Sequence, residues 1–315
     1  MDVDRLEALV AGAREGRVRD VARLISMIED GSPDVPAVMR MLAPLLGGAR
    51  VIGITGSPGV GKSTTTSALI SGYRARGLKV GVIAVDPSSP FSGGALLGDR
   101  IRMQQHATDP GVFIRSMASR GHLGGLSATT PQALRVLDAA GCEVVLIETV
   151  GVGQSEVEVA AAADTTLVLL APGMGDGVQA AKAGILEIGD VFVVNKADRD
   201  GADTTVRELR TMIQLGDSPD RGWQPPVVKT VASTGAGIEE LIGSIDDHDA
   251  WLRESGELQS RRVRRARDEV EALAVALLRR RLGAGDGSQR LDAAAQDVAV
   301  GRLDPHTAAE RLVSG

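Results

Sequence analysis

Apolar residues in the first fifty positions recur at helical spacing: Leu6, Leu9 and Val10, then Val21, Leu24, Ile25 and Ile28, with a break at Gly31-Ser32-Pro33. This pattern predicts a small helical prelude from Arg5 to about Leu46. From Arg50 to about Ile245 the pattern changes to short β-branched runs separated by longer helical stretches. It places strands near 50–55, 79–85, 111–115, 143–149, 165–171, 191–194 and 227–231. Strands alternating with helices imply βαβ units and a mostly parallel sheet covered on both faces. Beyond Ile245 no strand-like run appears. Val263, Val270, Leu273, Leu277 and Leu278 predict a long amphipathic helix, Gly283 to Ser288 a hinge, and about Gln289 to Leu312 a final short helix. The expected organisation is a helical N-terminal extension over 1–46, an α/β domain over 47–248, and a helical C-terminal arm and tail over 249–315. No internal repeat or low-complexity segment interrupts it.

Composition narrows the classes. Of 315 residues, 43% are hydrophobic and 24% charged, which supplies a substantial core and rules out wholesale disorder. Lys plus Arg number 35 against 41 for Asp plus Glu, so a nucleic-acid surface would have to be a local patch. Aromatics are only 2%, too few for a base-stacking platform, and no nucleic-acid partner is expected. The run Arg261-Arg262-Val263-Arg264-Arg265-Ala266-Arg267 reads as a solvated helix face beside Asp268, Glu269 and Glu271. The single cysteine, Cys142, cannot form an internal disulfide, and the acidic start Met1-Asp2-Val3-Asp4 lacks the layout of a signal peptide. The most apolar stretches, Thr165 to Ala171 and Val191 to Val194, fall short of the ~20 residues needed to cross a bilayer. A cytoplasmic location with no membrane contact is expected.

The strongest chemical signal is Gly56-Ser57-Pro58-Gly59-Val60-Gly61-Lys62-Ser63, a full match to GxxxxGK[ST] between a predicted strand and a predicted helix. Glycines let the backbone wrap a phosphate, amides at a helix N-terminus point inward, and the Lys62 ammonium reaches the β and γ phosphates. Ser63 would ligate Mg²⁺ through its hydroxyl, and Thr64 continues the nucleotide-binding stretch. The predicted fold is therefore a three-layer P-loop NTPase.

Asn195-Lys196-Ala197-Asp198, directly after the strand Val191 to Val194, matches NKxD. A carboxylate at Asp198 accepts two hydrogen bonds from guanine N1 and N2, and adenine offers no such pair on that edge. Asn195 reaches the N7 side and supports the loop, and the Lys196 stem lies over the base. Ser233-Thr234-Gly235, after the last strand, offers a backbone amide to guanine O6. The expected ligands are GTP, GDP and Mg²⁺.

The metal and hydrolysis groups are less ordinary. Where small GTPases carry DxxG, this chain has Glu148-Thr149-Val150-Gly151, so a glutamate stands in the place of the aspartate. Glu148 would reach the metal or a water, and the Gly151 amide the γ-phosphate. Asp86, at the tip of the second strand, and Asp99, in the glycine-rich segment after it, are further metal candidates. Asp99 is alternatively a helix cap or a partner of Arg100 or Arg102. Lys62 and Glu148 are the catalytic candidates. No glutamine follows Gly151, where Ras-like enzymes hold the attacking water; Val152 does, and Gln154 lies three positions on. Slow intrinsic hydrolysis, completed by a partner or a loop rearrangement, is expected.

Five separated motifs in one order carry a family resemblance: the Walker loop, Val85-Asp86-Pro87-Ser88-Ser89, the stretch Glu148 to Glu156, the stretch Ala171 to Gln179, and Asn195 to Asp198. Together they resemble the MeaB/ArgK GTPases associated with methylmalonyl-CoA mutase, bacterial counterparts of the human methylmalonic aciduria type A protein. The likeness covers about Leu45 to Ile245 and extends to the Asp304 to Leu312 tail. It implies a homodimeric GTPase that gates adenosylcobalamin delivery to an acyl-CoA mutase and protects that enzyme. It also implies an extra switch over Gly173 to Leu186, with Asp176, Gln179 and Lys182 as its polar contacts. No DxHxxG signature is present, so cobalamin is expected to bind the partner and not this chain. A non-enzymatic scaffold gated by its nucleotide, with incidental turnover, remains an alternative at this point, as do two other enzymes. One is a metal-insertion GTPase, for which Cys142 and His106, His122, His248 and His306 lack paired spacing. The other is an ATPase or kinase tied to basic amino-acid transport, which NKxD disfavours.

Overall fold

Seven parallel strands form one sheet in the order β3-β2-β4-β1-β5-β6-β7. They are β1 (Arg50–Gly56), β2 (Val80–Pro87), β3 (Val112–Ser119), β4 (Val144–Thr149), β5 (Thr165–Leu170), β6 (Val191–Asn195) and β7 (Val227–Thr230). The computed structural model describes residues 1–87, 104–119, 129–149, 155–173, 186–215, 222–283 and 286–314. The helices of eight residues or more among them are α1 (Val3–Arg14), α2 (Val18–Glu29), α3 (Val35–Leu42), α4 (Lys62–Ala75), α5 (Thr130–Ala139), α6 (Ser155–Ala162), α7 (Ala202–Leu215), α8 (Ile238–Glu254), α9 (Glu257–Leu282), α10 (Asp286–Ala299) and α11 (Pro305–Ser314). Chain contacts divide these into two compact units, Met1–Gln259 and Ser260–Gly315.

All seven strands fall where the β-branched runs predict them. The central ones are buried on both faces, as covered parallel strands must be. Ile52, Ile54, Val82, Leu146, Leu167 and Val193 pack with Leu69 and Ile70 of α4 and Leu241, Ile242 and Ile245 of α8. On the other face Ile83, Val85, Val145 and Ile147 meet α1, α2, α3, α5 and α6 through Leu6, Leu24, Leu42, Val136 and Val159. Val168, Phe192 and Val194 continue that face against Val206 and Leu209 of α7. The three layers of the predicted fold are therefore present. The helical prelude shares its core with the sheet, and Asp138 ties the connection down by accepting the amides of Gly47, Gly48 and Ala49 at 2.6, 3.1 and 3.0 Å.

Four boundaries differ from the sequence reading, the first being that α10 begins at Asp286, inside the stretch read as a hinge. β3 runs four residues past Arg115, because pairing with β2 continues to Pro87↔Ser119. Arg115 is accommodated there by Glu29 and Ser26 of α2. The prelude has an extra break between α1 and α2, where Gly16 takes a left-handed φ of 79°. The final helix is two: Gly301 at φ 74° ends α10, and the Asp304 carboxylate accepts the amides of His306 and Thr307, both at 3.0 Å, to start α11 behind Pro305. No helix among the described residues is long and apolar enough to cross a membrane.

Candidate functional site

The C-terminal edge of a parallel sheet, where strands give way to helix N-termini, is the usual ligand edge of such folds. β1 ends there in Gly56, and α4 begins six residues later. Gly56, Gly59 and Gly61 hold φ values of 137°, 82° and 101°, in the region that favours glycine. Space excludes side chains as well: a Cβ on Gly56 would lie 2.3 Å from the Leu169 carbonyl oxygen, and one on Gly61 2.3 Å from Asn195 Nδ2. Val60 is buried and pins the loop to the core. Ser57 is half-buried, and Pro58, Gly59 and Thr64 face solvent.

Lys62 is only 6% exposed, and burying an ammonium requires oxygen partners. Its Nζ donates to two carbonyls of the loop itself, that of Gly56 at 2.7 Å and that of Ser57 at 3.2 Å. Gly61 brings no capping side chain to the start of α4, the condition under which helix amides receive an anion. The next buried hydroxyls are spent locally, Thr65 on the Gly61 carbonyl and Thr66 on that of Lys62, each at 3.0 Å. Ser63 instead donates across the sheet to Glu148 Oε1 at 2.5 Å. Glu148 is 3% exposed at the end of β4, flanked in register by Ile54 and Ala84. A carboxylate and a hydroxyl form the hard oxygen set that suits Mg²⁺.

The Asn195 amide bonds to its surroundings through both Nδ2 and Oδ1. Nδ2 donates to the Val60 carbonyl at 2.8 Å, and Oδ1 accepts from Thr230 Oγ1 and the Ala232 amide, both at 3.1 Å. One carboxamide thus joins the loops after β1, β6 and β7, leaving a single Nδ2 hydrogen for a ligand. Lys196, the only non-glycine with positive φ among the described residues, reaches back to donate to the Gly59 carbonyl at 2.6 Å. Asp198 is exposed at the mouth of this loop. In the exposed turn 233–235 the amides of Thr234 and Gly235 donate to the Val231 carbonyl at 3.0 and 3.1 Å. Among these three, only the Ser233 amide has no acceptor among the described residues.

The structure therefore brings together the Gly56 to Ser63 loop, Glu148, Asn195 to Asp198 and Ser233 to Gly235. Asp86 is the penultimate residue of β2 at the same edge, two positions past Ala84, and its side chain lies outside the described residues. Asp99, Gly151, Asp176, Gln179 and Lys182 also lie outside them. Sequence reading missed Thr230 as an anchor for Asn195, because nothing local marks a threonine whose partner is 35 residues away. His106 and His248 are buried and hydrogen-bonded, to Ser67 at 2.9 Å and Thr165 at 2.8 Å, and no group of three metal-ligating side chains occurs among the described residues.

Residues 21–286 match the family described as methylmalonyl Co-A mutase-associated GTPase MeaB. A protein of Pyrococcus abyssi named as a GTPase is 46% identical over 310 residues, 98% of this chain and 96% of its own length. GTPase ArgK of Escherichia coli is 40% identical over 255 residues, 78% of this chain and 76% of its own. The mitochondrial methylmalonic aciduria type A homolog of Mus musculus is 38% identical over 214 residues, 67% of this chain and 52% of its own. Among solved structures, one described as an LAO/AO transport system kinase superposes with a TM-score of 0.74 at 27% identity, covering 100% of this chain and 98% of that one.

Proposed function

The chain belongs to the family of methylmalonyl-CoA mutase-associated GTPases, and from that premise we propose that its GTP cycle gates adenosylcobalamin delivery to methylmalonyl-CoA mutase, or a related acyl-CoA mutase, and protects that enzyme. The protein is a GTPase, and its ligands are guanine nucleotides. The observation that carries the site assignment is the direct bonding of the base loop to the phosphate loop, Asn195 to Val60 and Lys196 to Gly59.

In this reading Lys62 exchanges its two loop carbonyls for β and γ phosphate oxygens, stabilising charge where it develops in phosphoryl transfer. The amides of Gly59 to Ser63 hold the same phosphates, and the Gly151 amide meets the γ-phosphate. Ser63, Glu148, Asp86 and Asp99 hold Mg²⁺. When bound, the ion neutralises phosphate charge. Asp198 accepts from guanine N1 and N2, the remaining Asn195 hydrogen meets N7, and the Ser233 amide meets O6. Adenine would leave Asp198 without its pair of donors, which disfavours an ATP-dependent kinase. With Val152 after Gly151, intrinsic hydrolysis is slow, and Asp176, Gln179 and Lys182 form the extra switch through which the client acts.

A homodimer fits the C-terminal arm. In unit Ser260–Gly315, Val263, Val270, Leu273 and Leu277 of α9 are all exposed, and none of the 26 residues of α9 is buried. The test is GTP and ATP turnover by the purified protein, alone and with a methylmalonyl-CoA mutase from the same source. GTP-selective turnover that rises with the mutase is expected; turnover indifferent to the mutase would require another client.

A further inference from the structure

Thr55 is the last residue of β1 before the phosphate loop, has no accessible surface, and its hydroxyl has no hydrogen-bond partner. Buried hydroxyls are nearly always satisfied, so one left open beside a ligand loop calls for an explanation. Thr65, Thr66 and Thr205 all return their hydroxyls to a carbonyl one turn back, an escape that a strand residue does not have.

Strand alternation fixes the direction of the side chain. Ile52 and Ile54 point into the core under α4 and α8, so Gly53 and Thr55 point to the opposite face. At Gly53 that face is closed by α6: a Cβ there would lie 2.5 Å from Val159 Cγ1 and 2.9 Å from Ala163 Cβ. The chain re-enters the sheet at Thr165, opposite Ile52, so α6 runs from the ligand edge back along β1. Thr55 lies two residues nearer the ligand edge than Gly53, on the side of the first turn of α6. Its register partner on β5 is Val168, with which a valine would pack equally well. The next peptide, Gly56, carries a carbonyl that accepts from the Lys62 ammonium.

We propose that Thr55 is a positioning residue for the triphosphate state. Its hydroxyl, without a partner in this structure, donates to the water held by a γ-phosphate when a triphosphate occupies the loop. A diphosphate leaves it idle. The unsatisfied group thereby makes the protein favour GTP over GDP from beneath the loop, without touching the nucleotide. This rests on the reading of Gly56 to Ser63 as the phosphate site.

The experiment compares Thr55→Val, Thr55→Ser and Lys62→Ala by calorimetric titration with GDP and with a non-hydrolysable GTP analogue, both with Mg²⁺, and by thermal unfolding without nucleotide. Thr55→Val is expected to be at least as stable as the parent without nucleotide, to bind GDP within about twofold, and to bind the GTP analogue about tenfold more weakly, one hydrogen bond's worth. Thr55→Ser, which keeps the hydroxyl, restores most of the analogue affinity. Equal loss for both nucleotides, or no loss for either, overturns the inference while the site reading stands. Unchanged GDP affinity in Lys62→Ala overturns the site reading and the inference with it.

Discussion

The Ser63 hydroxyl donates to the Glu148 carboxylate at 2.5 Å, joining the first turn of α4 to the end of β4 beneath the phosphate loop. Two of the four groups proposed to hold Mg²⁺ are therefore in direct contact. Glu148→Gln keeps an acceptor for Ser63 and removes the charge. The Mg²⁺ concentration for half-maximal GTP turnover should rise by about tenfold or more, because hard cations depend on ligand charge. The nucleotide-free protein should lose about 1 kcal/mol, the difference between charged and neutral hydrogen bonds. A Mg²⁺ titration checks this, and an unchanged requirement would remove Glu148 from the metal site.

Asp198 is exposed, so its replacement should act on ligand choice and leave folding alone. Asp198→Asn is expected to weaken GTP binding by roughly 10² or more and to narrow the preference over ATP, since a site built on paired polar donors discriminates on the order of 10⁴. Competition binding with both nucleotides decides it; an unaltered preference would mean that guanine is read elsewhere.

Tyr73 is wholly buried on α4 with no partner for its hydroxyl, and burial pushes that group well above the ordinary phenol range. The Arg50 guanidinium lies 5.8 Å from the ring centroid, a contact that phenylalanine preserves. Tyr73→Phe should therefore be neutral or stabilising by up to about 1 kcal/mol in urea unfolding. Destabilisation would reveal a hydrogen bond formed in solution.

Burial pushes the Cys142 thiol up to about 12. At pH 8 it should resist disulfide reagents until denaturant opens the fold, and immediate labelling would contradict its buried position. The sign for stability follows. With its folded value raised above the usual ~8.5, the thiol's contribution is complete below that pH and is lost as pH rises from there toward 12. Cys142→Ala should flatten the alkaline side of the stability profile.

Much of the fold was legible because its signals are local. The buried strands are short β-branched runs, and α4 follows its glycine loop directly. The exceptions involve partners distant in the chain. The β3 run was read as ending at Arg115, yet the strand continues in pairing with β2 to Ser119, and Glu29 of α2 neutralises the Arg115 side chain while Ser26 accepts a hydrogen bond from it. The split between α10 and α11 was marked locally by Gly301 and Asp304-Pro305, but helical periodicity runs through it and hides the break.

The sequence by itself determined the phosphate loop, the guanine-type tetrapeptide and the alternation that builds the sheet, because each depends on residues within a few positions of one another. Only the tertiary structure decided that Asn195 and Lys196 bond to Val60 and Gly59, some 135 residues earlier, that Ser63 meets Glu148, and that the Thr55 hydroxyl is left without a partner. Those contacts depend on β1 lying between β4 and β5, with β6 one strand further. Strand order is a property of the whole packed core, with no local pattern to encode it.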